Sequence, residues 1–554
     1  MGLTKQQRDV VKAPGDFLLL ACPGSGKTRS AAERVARLTT TGSSKLAVCS
    51  YTNVGAERIG SVLSNELNMV LDARHFLGTI HAFLLQYVVY PFAGLLGAEK
   101  GPYIREGGTW PEVRAFSDNA KRIPVNVFRR DAAGGLVITD KPRTVPEDDQ
   151  AVVASVRNEV LRIKGQFFRK AGVLTPDDAM WVALRILREH ENVRDAVASR
   201  FDELLLDEAQ DTSELQLECL SVLRGADRLA SLVLIGDLEQ SIFSFQGASA
   251  EGCSKLASDH GLRVINLTEN HRCSQRICDV AVKFSTREKP DLAVGPHAAC
   301  DIKPEVVLYP IKEPSVTMAL FRARLDHYGI NRASAAVLAR GWKMVDLLNG
   351  ELVSLNLRDQ ARKLGKVAAA LANGTLTRRD VGAVERLVAH CALGTRNLDE
   401  LDEGVRSELR RQTYRFLLAL PAPHGDLRAW MRASAEALHD AACAVSTPPK
   451  HTGGRTLPAG PTLAGHDVSA VFAPTIEAPR AQTVHSIKGE DREAVMVVVR
   501  RPHASDSQLE LWEAAVSGTA VDDNKQEERR VLFVALTRAQ RFCLVALPDD
   551  VRGK

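Results

Sequence analysis

Short apolar runs recur along this chain, and each runs into polar or glycine-rich residues and then into a stretch with helical spacing of apolar positions. Phe17-Leu18-Leu19-Leu20-Ala21-Cys22 has the length and character of a strand buried on both faces, and it leads into Pro23-Gly24-Ser25-Gly26. From Ser30 the apolar positions Ala31, Ala32, Val35, Ala36 and Leu38 fall on one helical face, with Glu33, Arg34 and Arg37 elsewhere. Leu46 to Tyr51 reads as a second buried strand, ending in Thr52-Asn53 before a helix that carries Ala56, Ile59 and Val62. Phe76 to Phe83 repeats the pattern. Glu203-Leu204-Leu205-Leu206 ends in Asp207-Glu208-Ala209-Gln210-Asp211, and Leu232 to Ile235 ends in Gly236-Asp237. Alternating strand and helix of this kind predicts an α/β fold with a parallel sheet, whose carboxyl edge is where ligands bind.

Two stretches interrupt the alternation. Between about Leu84 and Ser199, Val125 to Phe128 and Leu136 to Thr139 flank Asp131-Ala132-Ala133-Gly134-Gly135, which predicts a hairpin. Thr175-Pro176-Asp177-Asp178 then starts a helix, with proline just inside and acids in the first turn. Further on, Leu364 to Leu371 and Asp426 to Met431 read as helical, and Thr447 to Pro461 is Pro/Gly-rich and reads as a flexible linker.

A length of 554 residues suggests three or four domains. With 72 basic and 68 acidic residues the formal net charge is +4, so no global field recruits nucleic acid, and any nucleic-acid track would have to be a local groove. The N-terminus, Met1 to Arg8, has no apolar signal region, and no apolar run approaches bilayer length, so a cytoplasmic protein without membrane contact is expected. The ten cysteines include no Cys-x-x-Cys; Cys273 and Cys278 lie closest, with no second pair to complete a zinc site, and reduced thiols are expected.

Candidate chemistry begins at the first strand. Gly24-Ser25-Gly26-Lys27-Thr28 after a strand and before a helix is a phosphate-binding loop: glycine lets backbone N–H groups approach anionic oxygens, and the helix N-terminus adds its own donors. Lys27 would reach the terminal phosphates and the Thr28 hydroxyl would ligate Mg²⁺, while Ala21 stands where the first glycine of the general pattern is usual. Gln7, shortly before the strand, has an amide suited to both edges of an adenine, or is surface polarity. Asp207 and Glu208 at a strand end match what Mg-assisted phosphoanhydride hydrolysis requires: one carboxylate on the metal, the next orienting and deprotonating water. Gln240 is placed to sense a γ-phosphate. Phe243 and Phe245, bracketing Ser244 after a polar loop, read either as core or as platforms for bases.

The order of these motifs resembles the UvrD/Rep family of superfamily 1 DNA helicases. The resemblance rests on Leu3 to Gln7, Ala21 to Arg29, Tyr51-Thr52-Asn53, Gly78-Thr79-Ile80-His81 and Asp207 to Asp211, then on Gly236-Asp237 with Gln240-Ser241-Ile242 and on Glu269-Asn270-His271-Arg272. Thr483 to Glu490 and Val534 to Ala539 complete it, and Ala21 is normal for this family. It implies two RecA-like P-loop NTPase domains, at about 1–95 with 200–262 and 263–350 with 478–554. Mainly helical insert subdomains at 96–199 and 351–477 would interrupt them. It implies ATP and Mg²⁺ as cofactors, adenine read by Gln7 with Arg29 nearby, the metal on Thr28 and Asp207, and water activated by Glu208. Gln240, Arg272 and Arg538 would surround the γ-phosphate, the two arginines arriving from the second domain. His271 stands where the family usually has tyrosine, Phe245-Gln246 where it has Trp-Arg, and Glu490 follows Gly489 directly, which bears on its ribose contact.

Single-stranded or tailed duplex DNA would be held by Tyr51, Thr52, Asn53, Thr79, His81 and His485, with bases on Tyr51, Phe243 and Phe245. The expected activity is ATP-dependent translocation on single-stranded DNA with 3′-to-5′ unwinding. The alternative is a DNA-dependent ATPase subunit acting beside a nuclease or repair partner in a DNA-repair or phage-defence complex; RNA as substrate is a third reading.

Overall fold

The computed structural model describes residues 2–41, 44–105, 110–115, 121–138, 149–242, 250–310, 313–349, 357, 359–395, 398, 401, 403–472, 478–499, 508–517 and 526–549. The chain divides into two compact units. One comprises Met1–Glu106, Trp110–Val307 and Val484–Val545; the other comprises Gly107–Thr109, Leu308–Thr483 and Ala546–Lys554.

In the first unit six strands form one sheet: β1 (Phe17–Ala21), β2 (Leu46–Ser50), β3 (Phe76–Thr79), β4 (Glu203–Asp207), β5 (Ser231–Gly236) and β6 (Arg263–Leu267). Their spatial order is β6-β1-β5-β4-β2-β3, and every pairing is parallel. The α/β expectation therefore holds in its coarse form. Alternation along each strand serves two faces. Phe17, Leu19, Leu205, Val233 and Ile235 pack with Ala31 and Val35 on one side, and Leu18, Leu204, Leu206, Leu232 and Leu234 pack with Phe83, Met180, Leu184 and Leu220 on the other.

Two boundaries differ from expectation. β6 pairs with β1 from Phe17↔Arg263 to Ala21↔Leu267, so the first sheet runs past residue 262. It is an edge strand with Arg263, Val264 and Asn266 exposed, and its polar face gave no buried-strand signal. The helices Pro176–Glu189 and Glu191–Ser199, expected within the first insert, instead contribute Ala183, Leu187, Val193 and Val197 to the core beneath the sheet. A separate small core, with Trp110, Val113, Ile123, Phe128, Leu136, Val156 and Val160, marks the insert proper, in which short antiparallel pairs lie against the helix Asp149–Gln166. The predicted hairpin forms, but from Phe128–Arg130 with Leu136–Ile138; Val125–Val127 is a tight helical turn. Its connection is fixed by Asp131, whose Oδ1 accepts from the backbone N–H groups of Ala133 and Gly135, and by Gly134 at φ +86°.

The second unit pairs Ala335–Ala339 with Ala481–Thr483 in parallel and carries the helices Asp359–Ala372, Arg378–Leu393, Glu403–Ala419 and Leu427–Val445. Both predicted helical stretches are present, the second capped by Asp426, which accepts from Ala429 N–H. The Pro/Gly-rich stretch is not a flexible linker. Lys450 and His451 donate their backbone N–H groups to Ala392 and Cys391, and Leu457 is fully buried. Glycine is required at 453 because a Cβ there would lie 1.8 Å from the Ala435 carbonyl oxygen. Gly453→Val should therefore lower the melting temperature by an amount equivalent to roughly 1–3 kcal/mol of overpacking; an unchanged melting curve would restore the linker reading.

Candidate nucleotide site and nucleic-acid edge

Parallel register brings the functional side chains to one edge. Ser50 is level with both Asp207 and Thr79, and Leu20 is level with Gly236, so the loops after β1, β2, β3, β4 and β5 leave the sheet together. Ala21 ends β1, and Cys22 donates its N–H to Leu267 O at 2.9 Å before the chain turns through Gly24 and Gly26, at φ +69° and +77°. Neither position has room for a side chain: a Cβ on Gly24 would meet Arg272 Cβ at 2.5 Å, and one on Gly26 would meet Gln7 Nε2 at 2.6 Å. The helix Lys27–Thr41 follows at once, with its N-terminal donors at the loop. Between them lies a cavity of about 360 Å³ lined by Gly24 to Arg29, Glu208, Gln240, His271, Arg272 and Arg538 among others.

The two acids of β4 have different partners. Asp207 is 1% exposed and its Oδ2 accepts from the Thr28 hydroxyl at 3.4 Å, while Glu208 Oε2 lies 2.9 Å from Lys27 Nζ. Glu208 occupies the left-handed region at φ 55°, a conformation that costs a non-glycine residue energy and here turns its carboxylate to Lys27. Burial, reinforced by the neighbouring Glu208 charge, raises the Asp207 pKa. For Glu208 burial pushes upward too, but Lys27 and Lys488 outweigh it and hold the carboxyl below its ordinary range. One acid is thus a firm carboxylate facing a cation, and the other is a buried carboxyl whose ionisation is opposed by burial and by its neighbour's charge.

The far wall comes from chain segments distant in sequence. Arg538 Nη2 donates to Gln240 Oε1 at 3.1 Å, and Arg272 Nη1 donates to Thr537 O at 3.2 Å. Arg538 is 1% exposed, and burial followed by nearby Arg272 lowers its pKa to about 9. Lys488, which sequence reasoning did not single out, donates to Asp211 Oδ1 at 2.7 Å and to Gln240 O at 2.6 Å, tying its own loop to those of Asp211 and Gln240. Asp211, Asp237 and Arg287 were likewise missed; Lys488 and Asp211 lay inside motifs already quoted, and Arg287 carried no local signal. The Lys488–Asp211 pair is buried enough that desolvation dominates both groups, lowering the lysine and raising the aspartate to about 6. A raised carboxyl pKa favours the folded state below the unfolded value and loses that contribution as pH climbs through about 6. Relative to Asp211→Asn, the wild-type melting temperature should fall between about pH 5 and 7.5; parallel curves would refute the assignment.

The other predicted nucleotide ligands are placed as follows. Gln7 is buried, its Nε2 donating to Ser25 O at 2.9 Å and its Oε1 accepting from Thr4 N–H at 3.0 Å, so both ends of the amide brace the loop and its own helix cap. Arg29 lies near Glu33 and Glu66. His271 donates its backbone N–H to Gly24 O at 3.0 Å. Glu490 pairs with Arg492 through its side chain, and its carbonyl accepts from Arg538 Nη1 at 3.2 Å.

At the same sheet edge, Thr52 and Thr79 cap the helices after β2 and β3, accepting from Gly55 and Ala82 N–H. Asn53 is exposed, and Tyr51, His81 and His485 are half-buried. Burial raises the Tyr51 pKa, so its phenol stays neutral. Phe243 and Phe245 lie outside the described residues.

These donors and acceptors fit Mg·ATP. The Ser25 hydroxyl is buried in the centre of the loop without a hydrogen-bond partner among the described residues, and Thr28 with Asp207 offers the hydroxyl and carboxylate oxygens that a hard cation takes. The bound nucleotide would supply the phosphoanhydride and Mg²⁺ would neutralise its charge. Lys27, Arg272 and Arg538 would be the cations around it, and Glu208 would be the carboxylate beside Lys27.

The sequence profile of the UvrD/REP helicase N-terminal domain matches residues 3–106 and 139–261. The ATP-dependent DNA helicase Rep of Escherichia coli (strain K12) is 26% identical over 304 residues, which cover 50% of this chain and 42% of Rep. PcrA of Leuconostoc citreum, also an ATP-dependent DNA helicase, is 23% identical over 294 residues, 50% of this chain and 38% of PcrA. The ATP-dependent DNA helicase UvrD2 of Mycobacterium bovis (strain ATCC BAA-935 / AF2122/97) is 25% identical over 590 aligned positions, 97% of this chain and 77% of UvrD2. The chain thus spans less than half the length of Rep and PcrA. The profile match runs through the phosphate loop, the acid pair and Gln240, and in those segments the chain is similar to the N-terminal domain of the UvrD/Rep helicases.

Proposed function

We propose that the protein is an ATP-dependent translocase on single-stranded DNA that unwinds duplexes in the 3′-to-5′ direction, in the cytoplasm. The observation that carries the reading is the convergence of Lys27, Glu208, Gln240, Arg272 and Arg538 on one cavity beside the glycine loop. Residues from both ends of the chain complete the site, so hydrolysis is tied to the segments that bring Arg272 and Arg538 to the loop. In this reading two RecA-like cores, each with an insert, hold ATP and Mg²⁺ between them. The carboxyl-edge residues Tyr51, Thr52, Asn53, Thr79, His81 and His485, with Phe243 and Phe245, follow the DNA strand.

Strand displacement on duplexes with 3′ or 5′ single-stranded tails, with ATPase measured in parallel, tests it. The expected result is DNA-stimulated hydrolysis and displacement from the 3′ tail. Displacement from the 5′ tail alone would overturn the polarity. Hydrolysis without displacement would favour the second reading, a DNA-dependent ATPase subunit beside a nuclease or repair partner, and stronger stimulation by RNA of the same sequence would move the substrate to RNA.

A further inference from the structure

We propose that Arg287, outside every motif that identifies the family, is a positioning residue for Gln240: acting through Asp237, it fixes which way round the Gln240 amide stands in the nucleotide site. The inference rests on the ATPase reading above and adds a residue to its machinery.

The two ends of the Gln240 amide meet partners of opposite kind. Nε2 donates to Asp237 Oδ2 at 2.7 Å, and Oε1 accepts from Arg538 Nη2 at 3.1 Å. A carboxylate only accepts and a guanidinium only donates, so one amide orientation satisfies both and the flipped one satisfies neither. Asp237 is itself held. It is 1% exposed, and its Oδ1 accepts from Arg287 Nη2 at 2.9 Å and from Glu239 N–H at 3.1 Å. Arg287 is anchored in turn by Asp291, with Nη1 2.7 Å from Oδ1, and its guanidinium lies 5.4 Å from the centre of the Phe533 ring. Phe533 belongs to the helix Gln526–Leu536, which leads directly into Arg538. Arg287, Asp237, Gln240 and Arg538 therefore form a circuit closed through that helix, in which each polar group faces its complement.

The chemical consequence concerns what Gln240 presents to the cavity it lines. With one N–H on Asp237 and its oxygen on Arg538, the amide keeps a second N–H that makes no hydrogen bond among the described residues. A donor, not an acceptor, is thus offered to an anionic group. Removing the Arg287 charge leaves Asp237 buried without its counter-ion and frees it to turn or take a proton, after which the amide has no fixed sense. Arg287 also donates to Ala21 O at 3.4 Å, so a purely mechanical clamp on the end of β1 is the competing role.

A double-mutant cycle separates the two roles. Arg287→Met should lower the DNA-stimulated kcat about tenfold while KM for ATP moves less than about twofold, and Arg287→Lys should recover part of the loss. In a Gln240→Ala background the Arg287→Met change should cost nothing further, because a residue that acts through Gln240 has nothing left to orient. Should Arg287→Met melt below the assay temperature, Asp237→Asn decides: its amide can turn an N–H₂ toward Gln240, and the same loss, confined to kcat and absent without Gln240, is expected. Losses that multiply in the double variants would overturn the proposal and leave Arg287 a clamp. Persistent hydrolysis in Lys27→Ala would instead defeat the phosphate-loop assignment on which the proposal rests, so the two failures are distinguishable.

Discussion

Glu208→Gln should bind nucleotide as wild type does and fail to hydrolyse it, with turnover reduced by about 10²–10⁴, the range for loss of a positioned general base. The substitution keeps the side chain's size and removes its charge and basicity. Gln210 Nε2 donates to Glu208 Oε2 at 2.6 Å, and the side chain sits in a left-handed backbone position that glutamine tolerates no worse than glutamate. Shape and backbone are retained while the charge facing Lys27 and the ability to take a proton are lost. The depressed pKa matters here: a carboxylate held well ionised by Lys27 and Lys488 against burial is available as acceptor throughout the neutral range. Nucleotide affinity from a fluorescent ATP analogue and turnover with single-stranded DNA should be measured on the same preparation. Turnover within about twofold of wild type would remove Glu208 from the reaction, and loss of binding matching that of a phosphate-loop variant would make it a structural partner of Lys27.

Much of the first sheet was legible because its central strands are buried on both faces and read as unbroken apolar runs. The strand ends were legible too, since Gly24 to Thr28, Asp207-Glu208 and Thr79 are short motifs with local chemistry. β6 was not: three of its five residues face solvent, and its pairing with β1 is what identifies it. The helix Pro176–Glu189 was read correctly from its proline and acids, yet its membership of the sheet's core is a fact of packing that chain order does not carry. Composition misled at Thr447 to Pro461, where glycine and proline signalled flexibility; Gly453 is there because backbone passes too close to Ala435 for any side chain.

At the site, residue identity was legible and partnership was not. Gln240 was recognisable in its motif, but which way its amide points depends on Asp237, Arg287 and Arg538, and the last two are brought together only by folding. The same holds for Lys488 and Asp211. A buried lysine and a buried aspartate in separate motifs give no sign in sequence that each is the other's counter-ion.

Lys27→Ala should abolish hydrolysis and weaken nucleotide binding at least about tenfold, the larger effect on affinity because this cation meets the phosphates in the ground state as well as during reaction. Its side chain is 13% exposed and its ammonium lies 2.9 Å from Glu208 Oε2. Burial lowers its pKa, but Glu208, Asp207 and Asp237 together reverse that and raise it, so the lysine is charged at any pH the protein tolerates. Removing it has a second effect. Glu208 keeps its burial and loses the first of the charges that hold it ionised, so its pKa should rise, and the stability that the wild type loses gradually as pH falls toward about 2 should be lost earlier on acidification. Comparing Lys27→Ala with wild type for ATPase, nucleotide affinity and acid-induced unfolding tests both consequences. Hydrolysis near the wild-type rate would sink the phosphate-loop assignment. Lost hydrolysis with an unchanged acid midpoint would mean that Lys488, and not Lys27, is the charge that keeps Glu208 ionised.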